Sequence, residues 1–352
     1  MHRKLLNIKM IGILTVLLVL FLAVGVAAEE RTDASGQWKY VLEDGGATIT
    51  GYVEEPSGDL GIPGELDGVP VTGVGDKAFY FVRGLTNVTI PSSVKKIGNQ
   101  AFTGCNSLTS LVIPNSVTII GDSTFAGCAS LTNVLIPDSV ISIGFRAFAD
   151  CSSLTSVVIP DSVTSIGDRA FIFCKSLTSV IIPASVTKIG IQPFMGCPLP
   201  VINVSPDNPV YAQIDGALYD TQQIELVSFP GGREGAYVIP HGTLHIGESA
   251  FAYCYGLTSV VIPDSITSIS DFAFEDCESL SSVSIPESVA YIGYEAFGWC
   301  ESLTSLIIPP SVTYIEDTAF DGCDNITLIV TKGSYAEQYA QENHIPYVLA
   351  VE

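Results

Sequence analysis

The chain has 352 residues, 47% of them hydrophobic and only 15% charged. That is enough apolar side chain for a large core and it excludes intrinsic disorder. With 37 acidic against 15 basic residues the net charge is −22, so phosphate backbones and anionic membrane surfaces repel the chain and nucleic acid is set aside as a partner.

Residues 1–28 read as a signal peptide. Arg3, Lys4 and Lys9 form a basic start, Met10 to Val26 is apolar, and Val26-Ala27-Ala28 supplies small residues for cleavage. An uncleaved anchor is the alternative, although 17 apolar residues are short for a span. Cleavage after Ala28 removes three basic and no acidic side chains, which moves the charge from −22 to −25. No membrane insertion is expected of the remainder.

Residues 29–59 are expected to form an N-terminal cap. Trp38-Lys39-Tyr40-Val41-Leu42 and Ala47 to Tyr52 flank Asp44-Gly45-Gly46, the pattern of a hairpin. From about residue 60 to 330 the chain repeats. Pro91, Pro114, Pro137, Pro160 and Pro183 are 23 apart, as are Pro240, Pro263, Pro286 and Pro309, and the nine cysteines keep the same beat from Cys105 to Cys197 and, after a gap, from Cys254 to Cys323. Ten rungs carry a phenylalanine at one position, among them Phe79, Phe148, Phe171 and Phe320. Within a rung, Leu108 to Ile113 suits a short strand that Pro114 ends, and Thr118–Ile120 suits a second strand closed by Gly121. One such rung cannot bury its apolar face alone, so a mainly β solenoid is expected, its core made by stacking.

Pro183 and Pro240 are 57 residues apart, two rungs plus 11. Residues at about 199–240 therefore form enlarged rungs, with a hairpin near Asp215-Gly216 and a turn at Gly231-Gly232; the alternative is a boundary between two short solenoids. Residues 331–352 should cap the far end through a short helix with Ser334 as its N-cap.

The motif L-x-x-L-x-I-P-x-S-V-x-x-I-G-x-x-A-F-x-x-C over roughly residues 60–330 resembles the leucine-rich repeats of BspA-like bacterial surface proteins. The resemblance implies a leucine-rich-repeat solenoid, secreted or on the cell surface, with binding or adhesion as its role, and it carries over no catalytic residues.

Candidate chemistry is sparse. Equivalent cysteines stacked about 4.8 Å apart with parallel Cα–Cβ vectors suit a ladder of buried free thiols better than disulfides. His241 and His245 lack the glutamate and the helix of a zinc-protease motif, and no cofactor is called for. Ser116, Ser139, Ser162, Ser185, Ser265 and Ser288 are expected to bond turn backbone. Two surfaces stand out for binding. The residue between the two inward positions of the main strand is Val112, Leu135, Val158, Ile181, Val261 and Ile307, an aliphatic column if it faces outward and core if the register slips by one. Phe173, Tyr253 and Trp299 fall between the Phe and Cys of their rungs and either contact a partner or shield the rung corners. The expected function is recognition of a protein or glycan rather than catalysis; the alternative is a self-associating wall or matrix component.

Overall fold

In the computed structural model, residues 29–221 and 224–351 are described, so the leader lies outside the described residues. A regular rung has two short strands and a turn-rich corner, although the main-strand segment of the rung that begins at Leu154 is held by isolated bridges at Ser156 and Val158. In the rung that begins at Leu108, Ser110–Val112 forms the main strand and Ile119–Ile120 the second. Between them, the Pro114 carbonyl accepts from the Val117 N–H at 3.0 Å, closing a turn. The regular rungs stack in parallel and in register: Val88, Leu111 and Val134 are partners on one face, and Ile97, Ile120, Ile143, Ile166 and Ile189 on the other. The inward residues Leu108, Leu111, Ile113, Val117, Ile120, Phe125 and Cys128 are at most 3% exposed. Each large one contributes about 1.5–3 kcal/mol by leaving water.

The corner is built from alternating hands of backbone. From Phe79 to Phe194 and from Phe251 to Phe297, the residues two before and two after the repeat phenylalanine lie in the left-handed region, as at Arg146 and Asp150 around Phe148 with φ of 50° and 58°. Such residues cost about 1–3 kcal/mol each. Cross-rung bonding offsets the cost: Arg146, Phe148 and Asp150 each donate an N–H to the next rung, at 2.8–3.0 Å. The phenylalanine rings inside stack from Phe79 to Phe194 with centroids 5.1–5.7 Å apart.

All nine cysteines are free and buried. Eight of them donate a thiol hydrogen to the phenylalanine carbonyl of the preceding rung, 3.0–3.3 Å away. Cys254, which comes after the enlarged rung, has only a 3.9 Å contact with the Ala252 carbonyl. Burial pushes the thiols of Cys128, Cys151 and Cys254 well above their ordinary range, and that of Cys105 to about 12. The serines also act between rungs rather than within their own turns. Ser139, Ser162, Ser265 and Ser288 donate to a backbone carbonyl of the preceding rung at 2.6–2.7 Å, and Ser116 does the same, whereas the buried Ser185 hydroxyl has no partner among the described residues.

The N-terminal hairpin pairs β1 (Trp38–Glu43) with β2 (Gly46–Tyr52), and Trp38 and Tyr52 cover the Phe79 ring at 6.3 and 6.2 Å. In the enlarged rung, Pro206 and Asn208 remain on the 23-residue beat after Pro183 and Ser185, and Asn208 takes the serine's place by donating to the Pro183 and Val186 carbonyls. The surplus then forms an antiparallel meander of β3 (Tyr211–Ile214), β4 (Ala217–Asp220) and β5 (Glu225–Ser228). Parallel pairing resumes where Leu226 meets Ile246. Strand β4 divides the core, since Leu218 packs with the rungs before it and Ala217 and Tyr219 with those after. At the far end, α1 (Tyr335–Glu342) is capped by Ser334, whose hydroxyl accepts from the Glu337 N–H, and β6 (Tyr347–Leu349) adds a last parallel strand beside Thr327–Val330.

Candidate binding surface

The main-strand face is a set of parallel columns, because each rung repeats the same alternation in register. One outward column is threonine: Thr109, Thr132 and Thr155 each donate a hydroxyl hydrogen to the backbone of the preceding rung, at 3.0–3.4 Å. Beside it, Ser110 donates to the Asn87 side chain at 2.6 Å. These hydroxyls are already engaged. The aliphatic column is not: Val112, Leu135, Val158 and Ile181 are 59–72% exposed, Ile307 61% and Val261 45%. Its register runs unbroken from Thr89 through Val112 and Leu135 to Val158. Ile181 then pairs with Asn203, where the apolar run ends.

A second run passes from Val238 through Val261 to Ser284, and farther along Ile307 pairs with Ile329 and Ile329 with Val348. Val238 and Val348 are 61% and 51% exposed and extend the surface beyond the residues read from the sequence. Val238 was within reach, standing two residues before Pro240 as Val112 stands before Pro114. Val348 was not, since it comes after the capping helix and leaves the repeat. Just past the prolines the face is bordered by exposed Asp138, Asp161, Asp264 and Glu287.

The aromatic candidates occupy the other corner of the rung. Phe81, Phe173, Tyr253 and Trp299 all stand two residues after a core phenylalanine, in left-handed backbone with φ of 55–60°. Three of them cover the glycine at the same place in the next rung: Phe81 over Gly104, Phe173 over Gly196 and Trp299 over Gly322, each so close that a Cβ on the glycine would strike the ring. Shielding is thus their structural role, and Phe173 and Tyr253 are only half exposed. Trp299 remains 51% exposed and stands apart from the others. Phe173 and Tyr253, however, meet edge to face at 5.2 Å although 80 residues separate them. Nearby, burial and the charges of Glu295 and Asp276 push the Glu275 carboxyl up to about 7. His241 and His245 are both exposed, His245 on the short strand His245–Ile246.

A model of the BspA type leucine-rich repeat region matches residues 72–200 and 235–343, more than half the chain. A comparison with curated proteins finds no match. Among solved structures, the chain is similar to a leucine-rich cell surface protein from Faecalibacterium prausnitzii, with 31% identity over 93% of this chain and 96% of that one and a TM-score of 0.74. It is also similar to a leucine-rich repeat protein from Eubacterium ventriosum, at 25% identity over 86% and 79% of the two chains and a TM-score of 0.65. The pneumococcal vaccine antigen PcpA shares the fold, at 16% identity over 92% and 99% of the chains and a TM-score of 0.58. The beat of proline, phenylalanine and cysteine, the stacked rungs it produces and these matches agree: the chain belongs to the BspA-type leucine-rich repeat family.

Proposed function

We propose that the protein is an exported, surface-associated recognition module of the adhesin kind, one that binds rather than catalyses and holds a protein partner on its main-strand face. The observation that carries the reading is the column of exposed Val112, Leu135, Val158 and Ile181 beside hydroxyls that are already bonded. An aligned apolar stripe with a polar rim suits a protein chain laid across the rungs; it presents no aromatic ring for a sugar to stack on. The relative from Faecalibacterium is a cell surface protein, which supports the same placement for this chain. The experiment is capture of proteins from host and bacterial surface extracts by the wild-type chain and by a Leu135→Asp/Val158→Asp variant. A defined partner held by the wild type and lost by the folded variant is expected, and equal capture by both would sink the reading. A self-associating wall or matrix component is the second reading, favoured by the one-sided pairing of β6 with Val348 and Leu349 51% and 44% exposed. Assembly that grows with concentration in sedimentation, and stops on removal of residues 347–351, would favour it.

A further inference from the structure

The corner column two residues after each core phenylalanine reads Phe173, Gly196, Gly231 and Tyr253 across the enlarged rung. Two glycines in succession leave a gap between two aromatic rungs. The enlarged rung is also short here: two residues separate Leu226 from Phe229, where four separate Ile246 from Phe251. Its corner is therefore drawn in, and the rungs on either side touch across it, with the Gln192 amide donating to the Ser249 hydroxyl at 2.5 Å. The result is a cleft of about 260 Å³, lined by Phe173, Lys175, Pro198, Gly231, Tyr253 and Tyr255 and floored by Gly196.

The cleft is preformed. A Cβ on Gly231 would lie 2.7 Å from the Cys197 carbonyl oxygen, and Gly196 has a φ of +69° beneath the Phe173 ring, so neither place accepts a side chain. Tyr253 is held edge to face between Phe173 at 5.2 Å and Tyr255 at 6.0 Å, and Tyr255 is 45% exposed at the mouth. Charge narrows the class of occupant. Tyr253 and Tyr255 sit in the field of Glu275, Asp276 and Glu278, which raises both phenols after burial and opposes an anion. Lys175 lines the cleft and, among the described residues, is in no ion pair, so its ammonium opposes a cation. An uncharged ligand is left, with C–H groups for the negative faces of the rings and acceptor oxygens for Lys175. Pockets for drug-sized ligands run from about 300 Å³ upward, so this one fits a single small ring.

We infer that the cleft is a subsite for one neutral sugar ring of a glycan, separate from the main-strand face and independent of the protein partner proposed for it. The test is a screen of the purified chain on immobilised glycans ending in glucose, galactose, mannose, N-acetylglucosamine or N-acetylgalactosamine, with sialylated and sulfated glycans and tetramethylammonium as further arms. Binding of a neutral terminus is expected, then confirmed by titration in solution. Tyr255→Ala, at an exposed position where the fold should survive, is expected to weaken that binding about tenfold or more, and Lys175→Met to weaken it less. Leu135→Asp, on the other face, leaves it unchanged. The inference is overturned if no neutral glycan binds, if the charged arms bind better, or if both cleft variants retain full affinity.

Discussion

The regular stack from Leu85 to Cys197 and the enlarged rung from Leu199 to Pro240 solve the same problem with different materials. In the stack one ring covers the next: Phe148 lies 5.5 Å from Phe125 and 5.4 Å from Phe171, and the thiol-to-carbonyl contact of one rung recurs in the next. In the enlarged rung the meander separates two cores, and the second begins with a buried pair, Tyr219 and Tyr237, whose hydroxyls are 2.9 Å apart. Repetition makes the stack uniform and its surface a line. Interruption brings corners of different rungs together, and it forms the cleft.

The largest effect should come from breaking the uniform part. Phe148→Ala empties a fully buried site between two stacked rings and is expected to cost about 3–5 kcal/mol. Phe320→Ala, next to the capping helix where Tyr339 is the outer neighbour, should cost less and fray the end. Urea midpoints of the two variants decide it, and equal losses would show that position along the stack does not matter.

Much of this contrast is legible in the order of the amino acids alone. Proline and cysteine spacing marks the rungs, and Ser334, Asp44-Gly45-Gly46 and the surplus before Pro240 mark the caps and the enlargement, because each rests on local chemistry that one stretch of chain carries by itself. Contacts between rungs are what escape such a reading. Many of the left-handed residues beside the phenylalanines are ordinary in type, such as Arg146 and Asp150, and their N–H groups bond carbonyls of the neighbouring rung. The serines are expected from the sequence to bond turn backbone, and the backbone that Ser139 and Ser162 reach is that of the rung before. Phe173 and Tyr253 look scattered along the chain because nothing in either segment shows that the rung between them is drawn in.

The interrupted part should be sensitive to a single polar group. Tyr219→Phe leaves the Tyr237 hydroxyl buried without its partner and is expected to cost about 1–3 kcal/mol. The double variant Tyr219→Phe/Tyr237→Phe should recover most of that loss in a thermal melt; a further loss would mean that the rings, not the hydroxyl pair, hold the second core.

Beside the cleft, Glu275 adds a pH dependence. Its carboxyl is raised to about 7 from 4.5, by burial first and then by Glu295 and Asp276, against a smaller opposing effect of Arg169. The folded state therefore binds the proton more tightly than the unfolded one. That stability is present below pH 4.5 and is lost as pH rises through 7. The group is half exposed, so screening holds the effect to about 1 kcal/mol. From pH 5 to pH 8 the urea midpoint should fall for the wild type and change less for Glu275→Gln; an equal fall in both would assign the slope to the remaining acidic surface.

The smallest effect on stability belongs to the face proposed for binding. Val158 is 72% exposed and Val157, one residue earlier in an extended segment bridged at Ser156 and Val158, is 5% exposed. Neighbouring residues on a strand point to opposite sides. Val158→Asp should therefore stay within about 0.5 kcal/mol of the wild type, with a slight penalty from the added negative charge near Asp161. Val157→Asp puts a carboxylate among Leu154, Ile159 and the neighbouring rungs with no basic partner, and should unfold the middle of the stack. Circular dichroism melts of the pair measure how sharply the face is divided from the core. If both variants unfold, the column contributes to stability and the interrupted corner is left as the one surface where binding and folding separate.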